Sequence, residues 1–192
     1  MDKNMTFFIC DFETTGFDFR KDYPIEIGGM FTDSNFNVLG TYRSLIKFSG
    51  LITEITKNAD QWPEKYLDAY KTHKIDALVI SCEVGSSEDR LIGIKPPHII
   101  AEQLYELCSI YNKGERKVII LSDNAQFEFW FMKKIFEDSS VEFPFHYSAW
   151  DSSMLLELSG IGNPKQLEHR AFNDAGRLYQ SLVRARERLN LF

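Results

Sequence analysis

The sequence predicts an α/β fold, with a mixed central β-sheet flanked by helices. Short apolar runs rich in β-favouring residues recur at Met5–Cys10, Ile25–Thr32, Asn37–Phe48, Lys117–Leu121 and Phe145–Trp150. Helix-period stretches separate the later runs, at His98–Tyr111, Ala125–Glu137, Met154–Leu158 and Asn173–Leu189. The order β-β-β, helix, β, helix, β, helix, helix therefore combines an antiparallel meander with crossover connections, which is the pattern of a mixed sheet with helices packed on it. A chain of 192 residues suits one domain, 1–192, with one substantial core.

Met5–Cys10 reads as a buried first strand. Asp18–Pro24 is polar and turn-like, and Pro24 restrains the chain before the second strand. The turn Asp33-Ser34-Asn35 separates the second and third strands, and Gly28-Gly29 marks a weak point or a close backbone approach. The stretch from about 50 to 95 is the least readable. Trp62-Pro63 fits a helix start, Glu64–Tyr70 a short helix, Ala77–Cys82 a short strand and Leu91–Ile94 a brief extended piece, but none of it names a chemistry.

Pro96-Pro97 opens the helix whose stripe is Ile100, Leu104, Leu107 and Cys108, and Asn112-Lys113-Gly114 ends it. Lys117–Leu121 is a central strand. Ser122-Asp123-Asn124 is placed to cap Ala125–Glu137, with Phe127, Trp130 and Phe131 as the buried side. Asp151-Ser152-Ser153 is placed to cap the next helix. The last helical region begins near Lys165 and buries Leu178, Leu182 and Ala185.

Composition narrows the function classes. Apolar residues are 44 % and aromatic residues 14 % of the chain, which fits a folded globular protein. The formal charge is -6, so a broad basic surface for duplex DNA is not expected. Part of that acidity can belong to a metal site, where bound ions reverse the local field. Cys10, Cys82 and Cys108 lack ligand spacing, and their odd number points to a reducing, cytoplasmic (intracellular) setting. Neither a signal peptide nor a membrane-spanning run is expected.

The chemistry gathers at Cys10-Asp11-Phe12-Glu13-Thr14-Thr15-Gly16. In an extended backbone Asp11 and Glu13 project to the same face, with Phe12 turned away. Like charges held that close need a cation, and hard carboxylate oxygens suit Mg²⁺ or Mn²⁺. Glu128 lies early in the helix after the Lys117–Leu121 strand, and Asp174 follows His169 by five residues. Both stand where helices leave strands or loops, the place where open sheets put ligands.

Asp11-Phe12-Glu13-Thr14-Thr15-Gly16 resembles the first motif of the DEDDh 3'-5' exonucleases, the group that includes proofreading subunits of bacterial DNA polymerases. Asn124-Ala125-Gln126-Phe127-Glu128 resembles their second motif, which normally ends Phe-Asp; Glu stands there in some viral relatives. His169-Arg170-Ala171 with Asp174-Ala175 resembles the third motif, and Asp151-Ser152 the Asp-Thr or Asp-Ser after the penultimate strand. The resemblance reaches from about residue 5 to 190, apart from the stretch near 50 to 95. Asp123 stands where a His often precedes the second motif, a position that is not a metal ligand in that family.

The resemblance implies a ribonuclease H-like fold and a metal-dependent 3'-5' exonuclease. Asp11, Glu13, Glu128 and Asp174 would hold two divalent cations, Mg²⁺ or Mn²⁺, roughly 3.5–4 Å apart, with Asp11 bridging. His169 would be the general base. Phe12, Thr14, Thr15, Asn124 and Phe127 would meet the terminal nucleotide of a single-stranded DNA or RNA 3' end, DNA slightly ahead. Lys133-Lys134, Arg170, Arg177 and the arginines at 184, 186 and 188 are placed to favour the backbone, although such residues are more often solvated helix faces. The resemblance leaves open a homodimer and a polymerase or replication partner. It also leaves two other readings, an exoribonuclease with the same catalytic set and a non-catalytic nucleic-acid-binding module on the same fold.

Overall fold

The structure, a computed structural model, describes residues 5–46, 94–112, 116–137, 139–162 and 170–190. Among these, one sheet of six strands runs in the order β4-β3-β2-β1-β5-β6. Strand β1 (Thr6–Thr14) pairs antiparallel with β2 (Pro24–Asp33), which pairs antiparallel with β3 (Val38–Ile46). The short β4 (Ile94–Lys95) lies parallel to β3. On the other side of β1, β5 (Ile119–Ser122) and then β6 (Trp150–Asp151) run parallel to it. The expected mixed sheet is thus present, and β1 is the strand from which the chain departs to one side and returns on the other.

Helices cover both faces. Helix α1 (Pro97–Tyr111) and helix α2 (Ala125–Glu137) join one apolar cluster with Phe8, Cys10 and Phe12 of β1. Helix α3 (Ser153–Leu158) and helix α4 (Ala171–Arg188) join a second cluster with Phe7 and Ile9. Alternation along β1 explains the split, since successive side chains point to opposite faces. Phe7, Ile9, Asp11 and Glu13 share the α4 face, and the two carboxylates are its continuation beyond the apolar layer.

Gly28 makes that layer thin where it matters. It pairs with Asp11 across β1 and β2, and a Cβ there would collide with the backbone of Phe172 in the first turn of α4. The glycine pair therefore marks a close backbone approach. Gly29 does the same against Ile9 and Phe8.

One expectation is corrected and one is made more specific. Phe145–Trp150 is not a continuous strand: Phe145 makes an isolated bridge to Val118, and regular pairing begins only at Trp150. A local turn breaks the extension, with the Ser148 N–H donating to His146 Nδ1 at 3.1 Å. Within the capping stretch Asp151-Ser152-Ser153, the acceptor is Asp151, whose carboxylate takes the Ser153 N–H at 2.9 Å, while the N-cap residue Ser152 has helical backbone and makes no side-chain cap hydrogen bond. The elements read into Glu64–Tyr70 and Ala77–Cys82, the helix start near Lys165, and His169 lie outside the described residues.

Candidate active site

Strand β1 pairs with β5 from Phe7–Ile119 to Ile9–Leu121, and β5 ends one residue later at Ser122. Strand β1 continues to Thr14, so its acidic end stands over the space where β5 turns into α2. This is the switch point of the sheet, the place beyond the strand ends where open sheets bind ligands. Glu128 reaches it from the first turn of α2, and Asp174 from the first turn of α4.

Two carboxylate groupings result, and Asp11 belongs to both. One oxygen each from Asp11, Glu13 and Asp174 lie within 4.8 Å of one another, as do oxygens from Asp11, Asp123 and Glu128. Glu128 is 2 % exposed, so the outward orientation that helix periodicity leaves open is not adopted. Ser122 Oγ donates to its Oε2 at 2.6 Å and turns the carboxylate towards the strand end. Asp123, set aside in the sequence, joins the second grouping; its place directly after a predicted central strand was the available signal.

The acids strain against each other. Burial pushes the Asp11 carboxyl well above the ordinary range, with Glu128, Glu13, Asp174 and Asp123 adding repulsion. Burial, then Glu26 and Asp174, raise Glu13 from 4.5 to about 8, against the lowering pull of Arg170. Burial raises Glu128 from 4.5 to about 8, with Asp123 and Asp151 adding to it and the Ser122 hydrogen bond opposing it. Buried carboxylates facing one another in this way form a hard-oxygen donor set that fits a divalent cation.

The frame around the acids is braced by cations. Glu26, fully buried on β2 and paired with Glu13 in the sheet register, accepts Arg170 Nε at 3.0 Å and Arg43 Nε at 3.0 Å. Arg170 is the N-cap residue of α4, so this link fixes the helix start to the sheet across 144 residues of sequence. Arg177 Nη1 lies 2.6 Å from Asp174 Oδ1. Arg186 donates to the Asn35 carbonyl and Arg188 to the Ser159 carbonyl. These contacts give Arg170, Arg177, Arg186 and Arg188 structural partners.

The residues expected to meet substrate divide. Phe12 is buried in the core beside Phe131, with ring centroids 6.5 Å apart. Thr14 and Thr15 shape the loop after β1: Thr14 Oγ1 donates to the Gly16 carbonyl at 2.6 Å, and Thr15 Oγ1 accepts the Tyr23 N–H at 2.9 Å. Asn124 is exposed, and Phe127 is half-buried against Phe131. Phe17, passed over in the sequence, is 82 % exposed with its ring 6.3 Å from that of Phe127. Its position immediately after the acidic motif was the clue. Gly16 lets the Asp22 carboxylate fold against the loop backbone, where a Cβ would collide with it.

The chain matches no protein-family model and no curated protein. Solved structures do match. The E. coli exonuclease I–single-stranded DNA complex in its zinc-bound form superposes with a TM-score of 0.60 at 17 % identity, covering 98 % of this chain and 42 % of that one. The fold is ribonuclease H-like. Exonuclease I in its apo form gives 0.59 at 18 % identity over 97 % of this chain and 43 % of that one. E. coli exonuclease I with a 5cy-dA13 oligonucleotide gives 0.60 at 18 % over 97 % and 41 %. The chain spans about two fifths of the length of these structures, and at such identity the likeness is one of fold. Among the described residues no helix is long and apolar enough to cross a membrane.

Proposed function

We propose that residues 1–192 form a metal-dependent 3'-5' exonuclease domain, which releases nucleoside 5'-monophosphates from the 3' end of single-stranded nucleic acid. The observation that carries this reading is the shared position of Asp11 in two buried carboxylate groupings at the sheet switch point. Asp11, Glu13 and Asp174 would hold one Mg²⁺ or Mn²⁺; Asp11 and Glu128, with Asp123 beside them, would hold the other. Bound there, divalent cations supply activation of the attacking water and neutralise charge on the phosphate and the leaving 3'-oxygen.

The remaining work falls to the chain's own groups. His169, joined directly to the anchored Arg170, takes the proton of the attacking water. Ser122 holds the Glu128 carboxylate in place, and the Glu26–Arg170 link holds the start of α4 so that Asp174 stays aimed at Asp11. Phe17 and Phe127 offer ring faces to the terminal base, a contact that accepts any base. DNA is placed ahead of RNA because similarly folded structures include complexes with DNA oligonucleotides.

The test uses single strands labelled at the 5' or the 3' end, DNA and RNA in parallel, with Mg²⁺, Mn²⁺ or chelator. The expected result is immediate release of the 3' label as mononucleotide, progressive shortening of the 5'-labelled strand, and loss of both in chelator and in Asp11→Asn. Faster loss of RNA would move the same mechanism to the other sugar. Binding without metal-dependent hydrolysis would leave a non-catalytic module and end the proposal.

A further inference from the structure

An aromatic and cationic surface lies along the chain from Phe17 and Phe127, two residues past the first and three past the second, and takes no part in the chemistry above. Phe19, from the loop between β1 and β2, stacks on Trp130 of α2 with centroids 4.9 Å apart and planes only 11° from parallel. Each ring carries a cation: the Arg20 guanidinium sits 5.4 Å from the Phe19 centroid, and Lys133 Nζ 5.2 Å from the Trp130 centroid. Lys134 Nζ donates to the Phe19 carbonyl at 2.9 Å, which ties the loop to the helix.

These residues continue the line of the site. Phe127, Trp130 and Lys134 fall at i, i+3 and i+7 on one face of α2, a row that starts within the motif that supplies Glu128. At 1.5 Å per residue, Trp130 lies about 4.5 Å and Lys133 about 9 Å along α2 from Phe127. That span accommodates about two to three nucleotides at the ~3.4 Å spacing of a stacked strand. Both ring residues are half-buried, and Phe129 also meets Trp130 edge to face at 5.6 Å, so a base reaches these rings by displacing the cations that lie over them. Lys21 pairs with Asp18 at 3.5 Å and Lys133 with Glu137 at 3.4 Å, exposed links that a phosphate can displace.

We infer that Phe19, Trp130, Arg20 and Lys133 form a second nucleic-acid site, a platform for the nucleotides upstream of the scissile end. It rests on the exonuclease reading for its direction, and it takes a single strand because rings interleaved with cations, in a protein of net charge -6, match stacked bases with an intervening backbone. Duplex DNA presents no free base faces to such a surface.

The test separates binding from turnover. Fluorescence anisotropy of 5'-labelled (dT)12 and (dT)2 is measured in chelator for the wild type, for Trp130→Ala, and for the exposed double variant Arg20→Glu/Lys133→Glu. Circular dichroism verifies the fold. Wild type is expected to bind (dT)12 far more tightly than (dT)2. Both variants weaken (dT)12 binding by about 5- to 100-fold, leave (dT)2 unchanged, and, with Mg²⁺ present, raise KM for (dT)12 without changing kcat. Equal losses on both lengths, or wild-type binding of (dT)12 by the folded charge variant, would overturn the platform. Absence of hydrolysis with length-dependent binding intact would overturn the exonuclease reading and leave the platform standing.

Discussion

Replacing Glu128 by glutamine is predicted to make the metal-free protein more stable and to abolish the proposed exonuclease activity. Glu128 is 2 % exposed and shares its surroundings with Asp11 and Asp123. Its carboxyl stands at about 8 in the folded protein against an ordinary 4.5. A folded value above the unfolded one means that the folded state holds its proton more tightly. Stability is therefore intact below pH 4.5, falls as pH climbs towards 8, and stays reduced above it. At about 1.4 kcal/mol per pKa unit, the displacement sets a ceiling of roughly 5 kcal/mol on the penalty from this one group. Glutamine removes the charge, and its amide oxygen can still accept the Ser122 hydroxyl, but its amide nitrogen must fit among acidic oxygens. A gain of about 1–3 kcal/mol at pH 8 is expected, which for a chain of this size raises Tm by about 3–10 °C.

The assay is urea unfolding in chelator at pH 5 and pH 8, followed by the same series with Mn²⁺. Glu128→Gln should unfold at higher urea than wild type at pH 8 and near the same urea at pH 5. Mn²⁺ should stabilise wild type at pH 8 and stabilise the variant much less, because binding acts only on the folded state. A variant less stable than wild type at both pH values would mean that Glu128 carries no buried-charge penalty, and one stabilised by Mn²⁺ as strongly as wild type would mean that Glu128 holds no cation.

Other substitutions test the frame and the chemistry. Gly28→Ala drives a methyl into the Phe172 backbone; a loss of about 1–3 kcal/mol by denaturant unfolding is expected, with kcat reduced even in the folded fraction because Asp174 moves from Asp11. Arg170→Met leaves the buried Glu26 with Arg43 and should lower stability by about 1–3 kcal/mol, less than loss of a fully buried pair because Arg170 is partly exposed, with kcat falling in the same assay. His169→Ala should slow mononucleotide release by roughly 10²–10⁴-fold while Mn²⁺ stabilises the protein as in wild type.

Elements with strong periodicity were legible from the sequence. Helix α2 has the bounds that its pattern predicts, and Leu178, Leu182 and Ala185 are buried on α4 as spacing requires. The extended geometry of β1 placed Asp11 and Glu13 on one face before any tertiary contact was known. What escaped was decided by long-range packing. Beyond its place after a predicted strand, Asp123 carries no ligand signal of its own, and only the packing of β5 and α2 against β1 brings it beside Asp11 and Glu128. Trp130 was read as buried, yet it stacks at the surface on Phe19, a residue 111 positions earlier. The two-residue β6 is too short for alternation to register, and the His146–Ser148 turn hides inside an apolar run. The Glu26–Arg170 link joins residues whose sequence neighbourhoods say nothing of each other.

Asp11 is proposed to be shared between two cation sites. Anomalous scattering from crystals soaked in manganese chloride measures this directly. Two manganese peaks are expected, one touching Asp11, Glu13 and Asp174 and the other touching Asp11 and Glu128, with the Asp11 carboxylate common to both. Ordered crystals in which manganese is absent from this carboxylate cluster, or bound only away from Asp11, would contradict that sharing.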